Sequence, residues 1–385
     1  MNYKYRDKCL ITECKDLEHL YTINNLPVFI GCTDQPIEKD LREDMEIFIS
    51  RSTGIIQLKK LLPLEVVYSE YHSEAVGKIW EEHFNEFSNF VYKHNKLKSI
   101  IEIGGSNGKL AEMYLDLDKN IKWTIIEPNP ERKEFKNKNI KIIESFIENK
   151  LELISGESTI VHSHTLEHLY EPLAFFKNIS EKSNKGDIMI FSIPDLYKYL
   201  KKNFVNAINF EHNYFITEDV ADFLVKKMGY EILEKYHYID HSIFYAIRFI
   251  GKDNLENNKL ILDKYFEYKM MYLNFIDFID KEVLKINKSV NEFISQNSSS
   301  KIYLFGAHIF SQFLINRGLQ SDKISAIIDN SPKKIGKRLY GTDLNVVSPA
   351  NLKDSSCMVI LKAGQYQKEV QHQLDQLSKN LKYVY

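Results

Sequence analysis

The chain has 385 residues, of which 44% are apolar, and a formal net charge of −2. Its length predicts two or three domains, and the near-neutral charge without a long basic run argues against nucleic acid as a partner. No apolar run approaches the roughly 20 residues of a membrane span. The first residues lack the apolar core of a signal peptide, and four cysteines do not make a disulfide framework. We therefore expect a cytoplasmic globular protein without membrane contact.

The first 250 residues divide into an irregular part and a regular one. Residues 1–75 carry Pro27, Pro36 and Pro63 between short apolar runs, which predicts a small, loop-rich cap. Residues 76–96 show helical spacing. From 98 to 250, strand and helix patterns alternate, which predicts a mostly parallel, doubly wound sheet. The strand predictions are Ser99–Ile103, Lys122–Ile126, Ile140–Ile143, Thr159–His162, Asp187–Ser192, Tyr230–Lys235 and Ser242–Ile250, the last two forming an antiparallel edge hairpin.

The sequence pattern after residue 252 predicts a connector helix and a second α/β unit. Residues 253–298 contain no Pro or Gly and carry an apolar stripe, which predicts a long helix. A strand from Lys301 then ends in a turn at Gly306, and a later strand ends at Asp329. The predicted parts are therefore a cap (1–75), an α/β domain (76–252), a connector helix (253–298) and a C-terminal Rossmann-like domain (299–385).

The most informative motif follows the first of these parallel strands. It has the pattern E-x-G-G-x-x-G, with Glu102 two residues before Gly104, Gly105, Ser106, Asn107 and Gly108. A strand, a glycine turn and a helix expose backbone N–H groups to a nucleotide. A dinucleotide fingerprint would instead be G-x-G-x-x-G. A carboxylate so close to the turn would oppose a pyrophosphate and suits a cation, so the motif predicts S-adenosylmethionine as the cofactor.

Residues after the next three strands complete the predicted cofactor site. Glu127 ends the second strand, beside Pro128, and is placed to accept the two ribose hydroxyls. Ser145 and Phe146 follow the third strand and are candidates for the adenine ring, with simple packing of Phe146 as an equal alternative. His162 ends the fourth strand, Ser163 and His164 follow it, and all three are predicted to line the cleft. The spacing of His162, His164 and His168 argues against a metal site there, and Glu167 and His168 are predicted to orient the loop.

A candidate acid–base group lies further along the chain, after the fifth strand. Glu211 and His212 stand side by side, and Tyr214 follows. A histidine with an adjacent carboxylate supplies a general base and its orienting partner. The alternative is that His212 has only a structural role.

At these motifs the chain resembles the three-part sugar C-methyltransferases, which act on nucleotide-linked 4-keto deoxysugars. Ile101 to Gly108 resembles the family's cofactor loop, and Thr165-Leu-Glu-His168 resembles the segment after its fourth strand. Phe210 to Tyr214 resembles the catalytic Tyr-x-Glu-His stretch, although Asn209 replaces the tyrosine. The segment from Phe305 to Gly336 is similar to the family's C-terminal domain. The resemblance implies a class I Rossmann-like methyltransferase domain between the cap and the C-terminal domain.

The resemblance also implies substrate residues and a zinc site that this chain alters. Tyr68, Tyr71, His241 and Ser242 fall where the family contacts its sugar, and the C-terminal unit is expected to hold the sugar nucleotide through Gly306, Asp329 and Lys333. The family carries paired Cys-x-x-Cys zinc ligands in the cap. This chain has Cys9, Cys14 and Cys32, with Ser50 to Gly54 in place of the second pair. We expect no metal in the cap, and a monomer or a homodimer.

The resemblance implies a mechanism with two competing alternatives. His212 would remove the proton beside the 4-keto group, with Glu211 orienting it and Tyr214 donating a hydrogen bond to the substrate. The first alternative is O-methylation of a sugar hydroxyl in capsule or glycan biosynthesis, which needs the same cofactor site. The second is a binding protein that kept the fold and lost activity, against which the intact Glu102, Glu127, Glu211 and His212 argue.

Overall fold

The computed structural model describes residues 1–68, 78–154, 156–251, 262–353, 355–363 and 367–385. The chain divides into two compact units. The first comprises Met1–Leu20, Ile47–Tyr199 and Glu211–Lys269, and the second comprises Tyr21–Glu46, Leu200–Phe210 and Met270–Tyr385. Tyr71, the start of the helix predicted at 76–96 and residues 253–261 of the predicted connector lie outside the described residues.

The N-terminal segment contains strands where the sequence predicts loops. Its elements are β1 (Lys4–Tyr5), β2 (Leu17–Pro27), β3 (Cys32–Thr33), β4 (Arg42–Ser50), β5 (Ile56–Leu58), β6 (Lys60–Leu61) and a short helix α1 (Leu64–Val67). In β4, Met45, Ile47 and Ile49 are buried at every second position, which is the period of a strand with one apolar face. Pro27 is the last residue of β2, while Pro36 and Pro63 lie outside the strands, so the loop-rich prediction misses the strands of this segment.

The first unit is built on a seven-stranded sheet whose order is β12-β13-β11-β10-β7-β8-β9. The strands are β7 (Ser99–Ile103), β8 (Lys122–Glu127), β9 (Ile140–Glu144), β10 (Thr159–Ser163), β11 (Ile188–Pro194), β12 (Tyr230–Tyr238) and β13 (Ser242–Phe249). β7 to β11 are parallel, and β13 is antiparallel to both β11 and β12. The predicted doubly wound sheet and its edge hairpin are confirmed. Because parallel strands end at one edge, the turns after β7 to β11 are neighbours.

Helices cover the sheet of the first unit. They are α2 (Lys78–His94), α3 (Lys109–Leu117), α4 (Pro172–Ser180), α5 (Leu196–Lys201) and α6 (Glu218–Lys227). Pro172 begins α4, where its missing N–H costs nothing. Thr217 caps α6, because its side-chain oxygen accepts a hydrogen bond from the backbone N–H of Val220. The core beneath α2 and α3 is apolar and aromatic, with Phe87, Val91, Tyr114, Trp123 and Phe244 among its buried members.

The long predicted helix is confirmed as α7 (Tyr265–Gln296). The second unit contains a five-stranded parallel sheet with the order β17-β15-β14-β18-β19. Its further elements are β14 (Lys301–Phe305), α8 (Ile309–Asn316), β15 (Ala326–Ile328), β16 (Arg338–Leu339), β17 (Val346–Val347), β18 (Cys357–Ile360), α9 (Gln367–Leu377) and β19 (Leu381–Val384). The Rossmann-like prediction for this part is confirmed in its strand–turn–helix plan. None of the described helices combines the length and apolarity that crossing a bilayer requires.

A charged contact within the second unit ties residues 21–46 to the strands that follow β15. β3 pairs antiparallel with β16. Close by, the guanidinium of Arg338 donates to both carboxylate oxygens of Asp40 at 2.7 and 2.6 Å. The backbone N–H of Gly341 donates to the same carboxylate at 2.7 Å. The Asp40 side chain is only 2% exposed, so solvent cannot replace these three donors.

Replacing Asp40 with alanine should therefore lower the free energy of unfolding by about 2–4 kcal/mol, because a covered guanidinium loses its partner. Urea unfolding of the full chain followed by circular dichroism measures this loss. The matched control is Asp34→Ala. The side chain of Asp34 is 71% exposed and lies 3.6 Å from Lys337, so its loss should cost less than about 1 kcal/mol. Equal losses for the two variants would contradict a structural role for the Asp40 contact.

Candidate functional site

The glycine turn after β7 is shaped by its own packing. Gly104 and Gly108 have φ angles of 75° and 73°, a conformation that glycine adopts without strain. Gly105 has ordinary φ, but a Cβ there would approach Ile125 Cγ2 to 2.6 Å and Glu102 Cδ to 2.9 Å. The turn thus rests directly on the side chains below it. Ser106, at its tip, is exposed to solvent.

Glu127 connects this turn with the end of β8. Its Oε2 accepts the backbone N–H of Ser106 at 3.1 Å, and its Oε1 accepts the backbone N–H of Asn129 at 2.9 Å. A carboxylate offers about four acceptor positions, so capacity remains for further donors. Contact of Glu127 with the ribose hydroxyls of the cofactor stays a prediction.

Glu102 does not present its charge at the surface of the turn, which corrects the expectation that it contacts a cationic cofactor directly. It is 2% exposed, and its Oε2 accepts the indole N–H of Trp123 at 2.7 Å. Burial, only partly opposed by that hydrogen bond, raises the pKa of Glu102 to about 7. Glu102 therefore forms the floor of the turn, and it is close to half-protonated at neutral pH.

The rim beyond Glu127 is formed by an amide and two aromatic rings. The side-chain amide of Asn129 donates to the backbone carbonyl of Tyr68 at 3.1 Å, and the Tyr68 ring contacts the Phe146 ring edge-to-face with centroids 5.9 Å apart. Burial and the charges of Glu211 and Glu127 raise the pKa of Tyr68 far above its usual value, so its phenol keeps its proton. Pro128 and Ser145 are half-buried beside this rim, and Ser145 N–H donates to the Glu127 carbonyl.

The two histidines at the end of β10, His162 and His164, have different surroundings. His162 is fully buried and stacks on Phe191, with centroids 4.9 Å apart, and burial lowers its pKa to about 3. It therefore belongs to the core. His164 has a φ of 49°, and its Nε2 lies 2.8 Å from the hydroxyl of Ser242. Ser163 and Ser192 share a hydrogen bond between their hydroxyls at 2.8 Å.

A carboxylate and two histidines lie together next to this strand end. Glu167 is fully buried, and among the described residues neither of its carboxylate oxygens has a hydrogen-bond partner. Burial, with a smaller contribution from Glu211, raises the pKa of Glu167 to about 8. His168 Nε2 lies 3.8 Å from Glu167 Oε1, while His168 Nδ1 lies 3.7 Å from Glu211 Oε2. The His168 and His212 rings meet edge-to-face at 5.2 Å.

The structure thus brings the predicted pair Glu211 and His212 beside His168, which the sequence assigns only to orienting the loop. The carboxylate of Glu211 lies 3.7 Å from His168 Nδ1, although the neighbour of Glu211 in the chain is His212. No signal in the sequence indicates this grouping, because His168 and His212 are 44 positions apart. The result is an acid–base set of two imidazoles, His168 and His212, and one carboxylate, Glu211.

Tyr214 is not positioned for the role that the sequence assigns to it, which is a second correction. Its side chain is fully buried, and its hydroxyl donates to the backbone carbonyl of Leu166 at 2.8 Å. The neighbouring Asn213 is held by Arg6, whose guanidinium donates to the Asn213 side-chain oxygen at 2.6 Å and to its backbone carbonyl at 2.9 Å. Tyr214 therefore positions the segment that carries Glu167 and His168 instead of donating to a substrate.

In the second unit, the predicted nucleotide residues form a closed turn. Gly306 has a φ of 97°. The Asp329 carboxylate accepts the backbone N–H groups of Ala307 and Ser331, each at 2.8 Å, and Lys334 lies 3.2 Å from it. Lys334 thus pairs with the Asp329 carboxylate, and contact of Lys333 with a nucleotide stays a prediction. Asp329 thus fixes the turn between β14 and α8.

The turns after β7 to β10 fit an adenosyl ligand at the residues that the sequence selected. Gly104, Gly105, Ser106, Gly108 and Glu127 form one hydrogen-bonded edge. Asn129 and Trp123 are contributors that sequence reasoning missed. Their roles depend on contacts across strands, which leave no motif in the sequence. The threonine after His164 adds a further tie, because its hydroxyl donates to the backbone carbonyl of Ile103 at 3.1 Å.

Two family models match the chain, one in each part. Residues 75–235 match a methyltransferase domain, and residues 262–384 match a C-methyltransferase C-terminal domain. No curated protein sequence matches the chain at a significant level.

Solved structures with a similar fold include a SAM-dependent methyltransferase from Aquifex aeolicus, with 11% identity, 43% of this chain covered, 90% of that chain covered and a TM-score of 0.34. The plantazolicin methyltransferase BpumL in complex with SAH has 10% identity, with 44% and 82% covered and a TM-score of 0.35. The methyltransferase domain of bacterial CtHen1 has 16% identity, with 44% and 100% covered and a TM-score of 0.36. Similarity at this level indicates nothing about the substrate of this chain.

The raised pKa of Glu102 predicts how stability depends on pH. Between pH 4.5 and 7 the folded chain keeps a proton on Glu102 that the unfolded chain has lost, so this group's contribution to stability falls as the pH rises through that window. Glu102→Gln removes the titration while its amide oxygen can still accept from Trp123. We expect the stability difference between this variant and the parent to shift in favour of the variant by about 2–3 kcal/mol from pH 5 to pH 8.

Urea unfolding at the two pH values measures this shift. The matched control is Glu81→Gln, which removes an exposed carboxylate and should give nearly the same stability difference at both. A stability difference for Glu102→Gln that is the same at pH 5 and pH 8 would mean that the buried carboxylate does not titrate in this range.

Proposed function

We propose that this S-adenosylmethionine-dependent methyltransferase transfers its methyl group to a carbon atom beside the 4-keto group of a nucleotide-linked deoxysugar. The observation that carries the proposal is the acid–base set of His168, Glu211 and His212 at the same strand edge as the cofactor turn. The match of residues 262–384 to a C-methyltransferase C-terminal domain supports carbon rather than oxygen as the acceptor.

The cofactor supplies an electrophilic methyl group on a positively charged sulfur. Residues of the first unit would hold it: the turn Gly104 to Gly108 would bind the nucleoside, and Glu127 would accept the ribose hydroxyls. Phe146 and Ser145 would contact the adenine ring, and Ser163 and His164, at the end of β10, would line the cleft. The fit follows from the free acceptor capacity of Glu127 and the lack of side chains on the turn's glycines.

The reaction needs a base, because a carbon acid must lose its proton before it can attack. The proton beside a ketone is acidified, since the electron pair that remains is delocalised onto the carbonyl oxygen as an enolate. In the proposed mechanism His212 removes that proton. His168 lies against the His212 ring, and Glu211 lies against His168. This series of contacts orients the base and balances the charge that it gains.

Tyr68 is the phenol that we propose as the hydrogen-bond donor to the enolate oxygen. Its backbone carbonyl accepts the side-chain amide of Asn129, two residues after Glu127, and its ring contacts Phe146, which supports a position of Tyr68 beside the proposed ribose site. Its phenol remains protonated, as a donor must be. Tyr214 cannot serve in this way, because its hydroxyl is donated to Leu166.

Two sets of residues are candidates for binding the sugar nucleotide. His241 and Ser242, at the β12–β13 hairpin, are proposed to contact the sugar. Gly306, Asp329 and Lys333 of the second unit are proposed to hold the diphosphate or the base, with the basic side chain of Lys334 close to Asp329.

Replacing the proposed base should slow proton removal without unfolding the protein. We expect His212→Ala to lower kcat by about 10²–10⁴-fold, the usual contribution of a general base, with an unchanged melting temperature. The parent enzyme, incubated with a nucleotide-linked 4-keto deoxysugar in D₂O, should exchange the proton beside the ketone, and the variant should not. The control is His372→Ala, which removes an exposed histidine of α9. Turnover by the parent without any such exchange would favour O-methylation and contradict the proposal.

Tyr68 and Tyr214 should respond oppositely to the loss of a hydroxyl. Tyr68→Phe removes the proposed donor, and we expect kcat to fall about 10–100-fold with little change in stability. Tyr214→Phe leaves the Leu166 carbonyl buried without its donor, and we expect a loss of about 1–3 kcal/mol in unfolding free energy with kcat of the folded enzyme close to that of the parent. Steady-state kinetics and urea unfolding of both variants measure the contrast, and a reversed pattern would return Tyr214 to the catalytic role.

A further inference from the structure

Three histidines from distant parts of the chain meet in the first unit, and none of them is the proposed base. His83 comes from α2, His164 from the end of β10 and His241 from the turn before β13. One ring nitrogen of each lies within 4.8 Å of those of the other two. Their ring centroids are 5.2, 5.3 and 5.5 Å apart. We call these residues the histidine cluster.

Two nitrogens of the histidine cluster converge on one point. His164 Nε2 lies 2.8 Å from the Ser242 hydroxyl, and His241 Nδ1 lies 2.6 Å from the same oxygen. A hydroxyl carries one proton, so it can donate to only one of these rings. The two nitrogens thus face the same oxygen, and the Ser242 hydroxyl would have to turn away for a cation to accept lone pairs from both rings.

The third histidine has an unsatisfied nitrogen. His83 is fully buried, and its Nε2 lies 3.2 Å from the Ser163 hydroxyl. Its Nδ1 is buried and has no hydrogen-bond partner among the described residues. A buried polar atom without a partner costs about 1–3 kcal/mol, so the position calls for an explanation. Metal binding supplies one. If His83 Nδ1 binds the ion, that nitrogen gains a partner, and Nε2 carries the proton and can donate it to the Ser163 hydroxyl.

Glu167 gives an independent indication. Its carboxylate is fully buried and without a hydrogen-bond partner among the described residues, and its Oε1 lies 3.6 Å from His164 Nδ1. Histidines that bind a metal through one ring nitrogen almost always donate the other N–H to a carboxylate, a carbonyl or water. If His164 binds through Nε2, then Glu167 is in the place of that acceptor. Its negative charge would also offset part of the charge of a divalent ion.

We propose that His83, His164 and His241 bind a divalent transition-metal ion of the Zn²⁺ class, with Glu167 as the acceptor behind His164. Three imidazole nitrogens with one position left open are an established Zn²⁺ ligand set. The three ligands come from three separate elements of the fold, so their sequence spacing carries no metal motif. The site is distinct from the cysteines of the N-terminal segment, and an ion bound there would occupy ring nitrogens of His164 and His241, the residues proposed above for the cofactor cleft and the sugar.

Trp80 provides a built-in reporter for this site. Its indole lies 4.5 Å from the His241 ring and 4.9 Å from the His164 ring, between centroids. The chain has two tryptophans, and the other, Trp123, is buried against Glu102. Binding of Co²⁺, which is an open-shell ion and a common substitute for Zn²⁺, should quench Trp80 fluorescence. Trp80→Phe should lose the quenching and keep the binding.

The test is titration of the chelator-treated full chain with Zn²⁺ by calorimetry and with Co²⁺ by visible absorption and fluorescence. We expect one ion per chain, with the visible bands of a nitrogen-bound, four-coordinate Co²⁺ and no cobalt–thiolate charge-transfer band. His83→Gln, His164→Gln and His241→Gln should each weaken binding at least about 100-fold, and Glu167→Gln about 10–100-fold. The control, His372→Gln, removes an exposed histidine and should leave the affinity unchanged.

Several outcomes would overturn the proposal. One is the absence of stoichiometric binding by a parent chain that shows a folded circular dichroism spectrum. Another is binding that survives the three glutamine variants but is lost in Cys9→Ser and Cys14→Ser, which would assign the ion to thiolates. A third is loss in His168→Gln and His212→Gln alone, because Glu167, His168 and His212 form the other metal-capable group among the described residues. Circular dichroism of each metal-free variant separates lost ligands from lost folding.

Discussion

The carboxylate of Glu127 is the contact on which the geometry of the cofactor edge depends. It joins the N–H of Ser106, in the glycine turn, to the N–H of Asn129, after β8. Without this anion two backbone donors would be unpaired, and the turn would lose its tie to the neighbouring strand. The amide of Asn129 extends the tie to Tyr68. One side chain thus sets where the ribose, the rim and the proposed enolate donor lie relative to each other.

Much of this edge could be predicted from the sequence, because it follows local rules. β7 was predicted at its observed bounds, Ser99–Ile103, since apolar residues precede glycines that only a turn accommodates. Glu127 was found by its distance from the turn. The sequence did not indicate that Glu102 is buried, because its burial depends on Trp123, which approaches from the next strand. A motif identifies a residue type at a position, but the side chains from neighbouring strands decide whether its charge reaches the surface.

The region of the proposed base was harder to predict for the same reason. Glu211 and His212 are adjacent in sequence, yet the carboxylate of Glu211 lies against His168. Tyr214 had the chemistry of a donor, but its hydroxyl satisfies a carbonyl inside the fold. The strands of the N-terminal segment were not predicted, because its prolines favour loops and outweighed the apolar alternation in β4. Pairings between distant segments, and the orientation of side chains in loops, are set by packing that a single sequence does not record.

Glu167 lies close to a member of each group of histidines, so its charge acts on both groups. It is a fully buried carboxylate between His164 on one side and His168 on the other, at 3.6 and 3.8 Å. Burial favours its protonated form and the neutral form of His164, so the region holds little net charge when no ion is bound. A cation in the histidine cluster would reverse that preference and draw the negative charge of Glu167 toward His164. His168 would then feel a charged neighbour on the Glu167 side and Glu211 on the other, and the orientation of His168 against His212 would respond to the occupancy of the cluster.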